Sequence, residues 1–250
     1  MKDKKQILVT GASGFIGSQF CNTAKQNGFT VIHLGRRTSP SYDEFTPDNL
    51  MPNSTILHLA GISTDNHKIS LKEYKDANVN LTMWLWGIFI KSEAKNFIFM
   101  SSIKAVESND QTHFTENSTC EPEGQYGRSK LEAERFLING FSSLTDSERL
   151  KRNLFILRPG LVYGNHLKGN LKSLFQFVSK GLPYPLAAFN NERTMLSLNN
   201  LEKVILTLIN KSFNGKSEAF LVADDKGFST NEILLIAGQV LEKKAYLLKT

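Results

Sequence analysis

Apolar residues in this chain gather in short runs. Ile7-Leu8-Val9, Val31-Ile32, Ile56-Leu57, Phe97-Ile98-Phe99-Met100 and Leu154-Phe155-Ile156-Leu157 are each bounded by polar or turn-forming residues. Such runs are too short for helices and barely interrupted, the pattern of strands buried on both faces of a parallel sheet. They predict strands over residues 6–10, 29–34, 55–60, 96–101 and 154–157. The stretches between them, residues 15–27, 71–92 and 126–137, carry helical spacing. This alternation predicts an α/β fold, a doubly wound parallel sheet of right-handed βαβ units. Residues 36–54 hold Pro40, Pro47 and Pro52 and are too lean for a full unit, so one strand is expected to be short or absent there. Residues 140–152 are polar and predict a surface excursion.

Length and composition narrow the picture without changing it. The 250 residues allow one sizeable domain plus a partial second lobe, and 40% hydrophobic residues against 22% charged exclude wholesale disorder. The net charge of +6 comes from scattered lysines, with Lys2, Lys4 and Lys5 as a solvated arm. No groove-reading motif accompanies it, and nucleic-acid binding is not expected. Cys21 and Cys120 belong to no Cys-x-x-Cys or Cys/His cluster, so neither a disulfide framework nor a metal site is expected, and a reducing cytoplasm is the simplest home. The run Met83 to Ile90 is too short to span a bilayer, and no leader pattern precedes Gly11. Membrane insertion is not expected.

The first candidate chemistry lies at Thr10-Gly11-Ala12-Ser13-Gly14-Phe15-Ile16-Gly17, between the first strand and the first helix. The first glycine of such a pattern permits the tight turn, the second the approach of a pyrophosphate, the third close helix–strand packing. The helix N-terminus then offers N–H groups and a positive dipole end to phosphates. A dinucleotide is the expected ligand. The second strand ends His33-Leu34-Gly35-Arg36-Arg37. No acidic residue stands there to bind a ribose, and Arg36 and Arg37 suit the 2′-phosphate of NADP better than NAD.

Tyr126 and Lys130 are four residues apart, hence on one helix face. A tyrosine is a weak acid, and a nearby ammonium is expected to lower its pKa so that it can shuttle a proton while the cofactor carries hydride. Ser102 follows the 96–101 strand, where a hydroxyl can bond a reacting carbonyl. Alone the Tyr–Lys pair says little. The order of cradle, serine and pair is what speaks for an oxidoreductase acting on a hydroxyl or carbonyl group.

With these motifs go Leu57-His58-Leu59-Ala60-Gly61, Asn78-Val79-Asn80, Ser101-Ser102, Arg158-Pro159-Gly160-Leu161-Val162-Tyr163-Gly164 and residues 193–201. Together they resemble the extended short-chain dehydrogenase/reductases, the NAD-dependent epimerase/dehydratase family. The resemblance implies a Rossmann-type cofactor domain over residues 1–165. A small, incomplete substrate lobe over 166–250, with elements returning to the sheet, completes it. It implies Ser102, Tyr126 and Lys130 as catalytic residues, with Asn78 supporting the active-site helix and a proton relay. Gly11, Ser13, Gly14, Phe15, Ile16 and Gly17 would hold the pyrophosphate. Leu59, Ala60 and Gly61 would line the nicotinamide ribose, with Tyr126 and Lys130 beside the cofactor. Asn170 and Leu171, with Ser102, would contact a nucleotide-sugar, and Arg193 would clamp its pyrophosphate.

Within the family, Gly169-Asn170-Leu171, Gly181-Leu182-Pro183-Tyr184-Pro185-Leu186, Asn191-Glu192-Arg193-Thr194 and Ala223-Asp224-Asp225 resemble bacterial UDP-glucose 4-epimerase-like proteins. These include 4-ketoreductases of surface-polysaccharide sugars. Dehydratases place Thr-Asp-Glu where this chain has Ser101-Ser102-Ile103, so elimination is disfavoured. A 4-epimerase must retain NAD, and the missing acidic residue after the second strand points to single-pass reduction with exchangeable NADPH instead. The alternatives are a 4-epimerase with tightly bound NAD and a non-catalytic cofactor binder. Homodimerisation through the helices near 71–92 and 126–137 is expected by the same resemblance. Two features depart from the family: residues 36–54 lack its adenine-side acidic element, and relatives continue past Thr250. The substrate-covering segment that would begin near 241–248 is therefore expected to be cut, naturally short or completed by a partner.

Overall fold

The computed structural model describes residues 5–107, 113–164, 169–189 and 191–248, without the side chains of Gly169 and Asn170. The chain divides into two compact units. The first runs to Pro159 and takes back Glu202–Leu221. The second comprises Gly160–Leu201 and the chain from Val222 onward.

The first unit is a six-stranded sheet of β1 (Gln6–Thr10), β2 (Thr30–Leu34), β3 (Thr55–His58), β4 (Asn96–Met100), β5 (Asn153–Pro159) and β8 (Ser217–Val222), ordered β2-β1-β3-β4-β5-β8. The pairs from β2 through β5 are all parallel. Every residue of β1, β3, β4 and β5 is buried, as their unbroken apolar runs require. The chain order turns back between β1 and β3. Open α/β sheets bind their ligands at such a switch point, beyond the carboxyl ends of the strands.

Beyond β2 the sheet stops. Residues 36–54 hold one 3₁₀ turn, Pro47–Asn49, and a single isolated bridge between Gly35 and Ser41. The strand expected to be short or absent is absent, and Phe45 and Leu50 from this segment fill the core beside Leu34 instead.

Helix α1 (Phe15–Gln26) follows β1. Residues 71–92 are helical but not one regular helix: α2 (Leu71–Tyr74) passes through a π turn, Lys75–Asn80, into α3 (Leu81–Lys91). Helix α4 (Gln125–Ser142) runs past the expected end at residue 137, and the polar excursion that follows contains a short α5 (Asp146–Leu150). The core beneath α3 and α4 is aromatic, with Trp86, Phe89 and Phe97 in mutual contact at centroid distances of 5.1–5.5 Å. Burial of these rings contributes hydrophobic stabilisation to the unit.

The second unit has a three-stranded sheet of β6 (Leu161–Tyr163), β7 (Arg193–Ser197) and β9 (Gly227–Phe228), with β6–β7 parallel and β7–β9 antiparallel. Helices α6 (Gly169–Ser179) and α8 (Thr230–Val240) pack together there, and α7 (Leu198–Asn210) leads back to the first unit. Asp224 ties this sheet to the start of α7, accepting from Tyr163 Oη (3.0 Å), Ser197 N (2.9 Å) and Asn200 Nδ2 (2.7 Å). The last described residues run alongside Tyr184, which bonds to Tyr246 and Leu248 through its backbone. Among the described residues no helix is long and apolar enough to cross a membrane. The same residues contain no group of three or more His, Cys, Asp or Glu that could hold a metal.

Candidate active site

The site is built at the carboxyl ends of β1, β3 and β4. At β1, Gly11 adopts a φ of +69°, which residues with a side chain rarely take, and a Cβ there would lie 2.7 Å from the Ala60 amide. Gly14 N bonds back to Gly11 O at 2.9 Å, closing the turn. A Cβ on Gly17 would lie 2.8 Å from Ala12 Cα, so only glycine lets α1 begin this close to the loop. The N-terminus of α1 has no side-chain cap and no acidic residue in its first turn, and Ser13 and Gly14 are exposed. A cradle that any Cβ would fill, ahead of an uncapped positive helix end, fits a pyrophosphate.

At β3 the strand ends at His58, and Leu59 to Gly61 leave the sheet stitched to β1: Leu59 N donates to Thr10 O (3.3 Å) and Ala60 N to Thr10 Oγ1 (3.2 Å). Gly61 has a φ of +148°, and a Cβ there would strike Asn78 Oδ1 and come within 3.4 Å of Lys130 Nζ. Asn78, in the π turn, is fully buried. Its side chain accepts from Ile62 N (2.8 Å) and donates to Ile62 O (3.0 Å) and Ser129 Oγ (2.8 Å). Ser129 in turn donates to Tyr126 O at 2.8 Å. The π turn thus supplies a clamp between the β3 loop and α4, a frequent use of such turns.

His58 extends this clamp. Thr82 Oγ1 donates to Asn78 O (2.7 Å), so His58 Nε2 (2.9 Å away) carries the ring proton and Nδ1 accepts from Thr10 Oγ1 at 2.6 Å. Burial, with the Lys130 charge, pushes the imidazole down to about 3 from 6.5. The unfolded chain therefore binds this proton near pH 6.5 while the folded one resists until about 3, and stability falls as pH drops through that window. Urea unfolding of the wild type should lose on the order of 2–3 kcal/mol more than His58→Gln between pH 6.5 and 4.5. Equal losses would refute a neutral buried histidine.

At β4 the chain passes through Ser101 to Ser102, whose Oγ accepts from Lys104 N at 3.2 Å. Ser102 also bonds the Tyr126 hydroxyl. Lys130 Nζ is buried, donates to Met100 O at 2.9 Å and lies 4.8 Å from the centre of the Phe99 ring. Burial brings Lys130 down to about 8, while the carboxylate of Glu134 works to raise it. The lowered tyrosine expected from the Tyr–Lys spacing is not found. Burial holds the Tyr126 phenol above its ordinary value against the Ser102 bond, and the Asp65 charge adds to the rise. The ammonium is bonded to the Met100 carbonyl.

Asp65 and Glu134 were not singled out in the sequence. Asp65 Oδ1 accepts from Tyr126 N at 2.9 Å, capping an α4 whose own N-cap, Gly124, offers no side chain. Its signal was weak, since a carboxylate in an exposed loop 61 residues away has no period to betray it. Glu134 is fully buried and binds Arg158 and Ser101.

The fold thus brings Gly11, Gly14, Gly17, Ala60, Gly61, Asn78, Ser102, Tyr126 and Lys130 to the strand ends of one unit. Arg36 and Arg37 are exposed just beyond β2, on a turn closed by Thr38, whose Oγ1 accepts from Gly35 N at 2.7 Å. Ser13, Phe15, Ile16 and Leu59 also lie in this first unit, whereas Asn170, Leu171 and Arg193 belong to the second. Arg193 is the exposed first residue of β7. Leu171 is packed in the core with Met195 and Ile233, so its side chain is structural and only its backbone is left for a ligand. The side chain of Asn170 lies outside the described residues.

A glycine cradle at a switch point, followed by a buried Ser–Tyr–Lys set, defines a dinucleotide-dependent oxidoreductase. The model of the NAD dependent epimerase/dehydratase family matches residues 7–222, and the chain belongs to that family of extended short-chain dehydrogenase/reductases. Across 99% of its length it is 30% identical to a UDP-glucose 4-epimerase of Vibrio cholerae, covering 79% of that protein. It is also 26% identical, over 84% of its length and 50% of the relative's, to a UDP-2-acetamido-2,6-beta-L-arabino-hexul-4-ose reductase of Pseudomonas aeruginosa. Among solved structures, MoeE5 in complex with UDP-glucose and NAD shares the fold with a TM-score of 0.81 at 21% identity, over 97% of this chain and 84% of that one.

Proposed function

We propose that this enzyme reduces the 4-ketone of a UDP-linked sugar, with NADPH as the preferred cofactor. The observation that carries the proposal is the buried Ser102–Tyr126 pair with Lys130 beneath it, at the strand ends that also hold the glycine cradle. When bound, the cofactor supplies the hydride. The Ser102 hydroxyl would hold the ketone oxygen, and Tyr126 would deliver its proton to the developing alkoxide. A phenol held above its ordinary pKa keeps that proton at neutral pH until the alkoxide forms, which suits a general acid in a reduction. Lys130 would support the phenolate left behind. Asn78 would hold the α4 backbone at Tyr126 through Ser129.

Reduction rather than elimination is supported by Ser101-Ser102-Ile103, which places no carboxyl group at the end of β4. NADPH is supported by Arg36 and Arg37 after β2, where no acidic residue stands. The names of the relatives support a sugar nucleotide and action at C4. They also favour a second reading, a 4-epimerase that keeps its NAD. The substrate lobe would contribute Arg193 to the pyrophosphate and the Asn170–Leu171 backbone to the nucleotide. Pairing of two copies through α3 and α4 fits the exposed Met83, Ile90 and Ile138. Two free thiols, Cys21 and Cys120, fit the reducing cytoplasm.

Calorimetric titration separates these readings. A reductase should bind NADPH at least about tenfold tighter than NADH, the order expected for charge-assisted contacts to a 2′-phosphate, and a UDP-sugar should tighten it further. Tighter NADH binding would overturn the NADP preference. Purified protein carrying NAD and interconverting UDP-sugars without added cofactor would establish the epimerase instead.

A further inference from the structure

Helix α4 carries a third ionisable group on the side of Tyr126 and Lys130. Glu134 lies one turn beyond Lys130, and its side chain is completely buried. Three elements converge on it. From β5, Arg158 donates through Nη2 to Oε2 (2.6 Å) and through Nε to Oε1 and Oε2 (3.1 and 3.2 Å). From the end of β4, Ser101 Oγ donates to Oε1. From α4 itself comes Lys130, which is held to Met100 O, the residue before Ser101. The remaining neighbours of this group are few. His58 faces Lys130 from β3 and is neutral above about pH 3. Cys120 Sγ lies 3.9 Å from Arg158 Nη2, and the Glu116 charge also reaches Arg158.

A buried ion pair is a poor way to gain stability, because two apolar residues of the same shape often serve as well or better. Its position suggests another use. Glu134 anchors, in one carboxylate, the strand end that presents Ser102, the helix that presents Tyr126 and Lys130, and the carboxyl end of β5. It also sets a negative charge beside a lysine that burial would otherwise discharge.

We propose that Glu134 is a positioning residue of the reaction: fixed by Arg158 and Ser101, it locks α4 over the end of β4 and supplies the negative charge against which Lys130 works. This rests on the reading of Tyr126 and Lys130 given above. Arg158 is the partner that makes a fixed carboxylate possible there. Burial lowers Arg158, but the Glu134 bonds and charge outweigh it and leave the guanidinium firmly charged. Ser101 carries the geometry forward to Ser102.

The informative variant is Glu134→Gln, which keeps an acceptor for Arg158 and Ser101 while removing the charge. The measurement is the titration of Lys130 in the full chain, followed by the ¹³Cε shift of labelled lysine and assigned by comparison with Lys130→Met. The wild-type midpoint is expected near pH 8. In Glu134→Gln it should fall by about one unit, and the alkaline limb of turnover should move with it, giving about fivefold lower turnover at pH 8 and little change at pH 6. If Glu134→Gln does not fold, Glu134→Gln with Arg158→Met removes both charges and is read the same way. A midpoint and profile that stay in place in the folded variant would overturn the proposal, because a merely structural carboxylate lowers stability without moving either. Failure of the underlying reading looks different: Tyr126→Phe would then retain turnover, whatever the lysine titration shows.

Discussion

Turnover should fall about 10²- to 10⁴-fold when Tyr126 is replaced by phenylalanine, the range supplied by one general acid or base. The phenol is buried, and its hydroxyl bonds Ser102. Removing one oxygen leaves the ring, its packing and the backbone bond to Asp65 intact. The α1 cradle is untouched, so the dissociation constant for the dinucleotide should change by no more than about threefold. Stability should hold as well, because the loss of one hydroxyl bond to Ser102 is worth only about 1 kcal/mol. Calorimetry, a thermal melt and a UDP-sugar assay together decide the matter. Turnover near the wild-type level would remove Tyr126 from the chemistry.

A loss in binding rather than chemistry is expected from Gly17→Ala. The new methyl would sit 2.8 Å from Ala12 Cα and 2.9 Å from Gly11 C, against backbone that has little room to move. Helix α1 must then shift away from the Gly11 turn, at a destabilisation of about 1–3 kcal/mol for overpacking. The pyrophosphate loses N–H groups aimed from that helix, and affinity for either dinucleotide should drop at least about tenfold. Gly87→Ala in α3 is the control. Nothing lies within 4 Å of a Cβ there, and alanine in a helix interior should gain up to about 1 kcal/mol. Urea midpoints moving in opposite directions for the two variants would support the steric account. Unchanged binding in Gly17→Ala would contradict it.

The chemistry of Tyr126 and Lys130 was legible only in part. Their spacing put them on one face of α4, and the structure keeps them there. What the spacing missed is the direction of the electrostatics. A phenol inside a protein is governed first by desolvation, and the ammonium expected to relieve it is bonded to the Met100 carbonyl. For Leu171 a motif match carries over a residue's name but not which of its atoms faces a ligand, and its side chain is packed in the core.

By itself the sequence determined the elements whose cause is local. Unbroken apolar runs became β1, β3, β4 and β5, because residues buried on both faces need no alternation. Three glycines became the cradle, because backbone sterics allow little else at those positions. The lean segment after Arg37 produced no strand, because its prolines and its length left no room for a full βαβ unit. The tertiary structure alone decided everything that depends on residues distant in the chain. Asp65 reaches Tyr126 across 61 residues, Asn78 reaches Ser129 across 51, Thr10 reaches His58 across 48, and Glu134 reaches Arg158 across 24. Each of these bonds joins polar groups whose spacing along the chain is not fixed, so no periodicity announces it. They form because the parallel sheet brings the ends of β1, β3, β4 and β5 side by side, where a buried polar group must find a partner or remain unsatisfied at considerable cost.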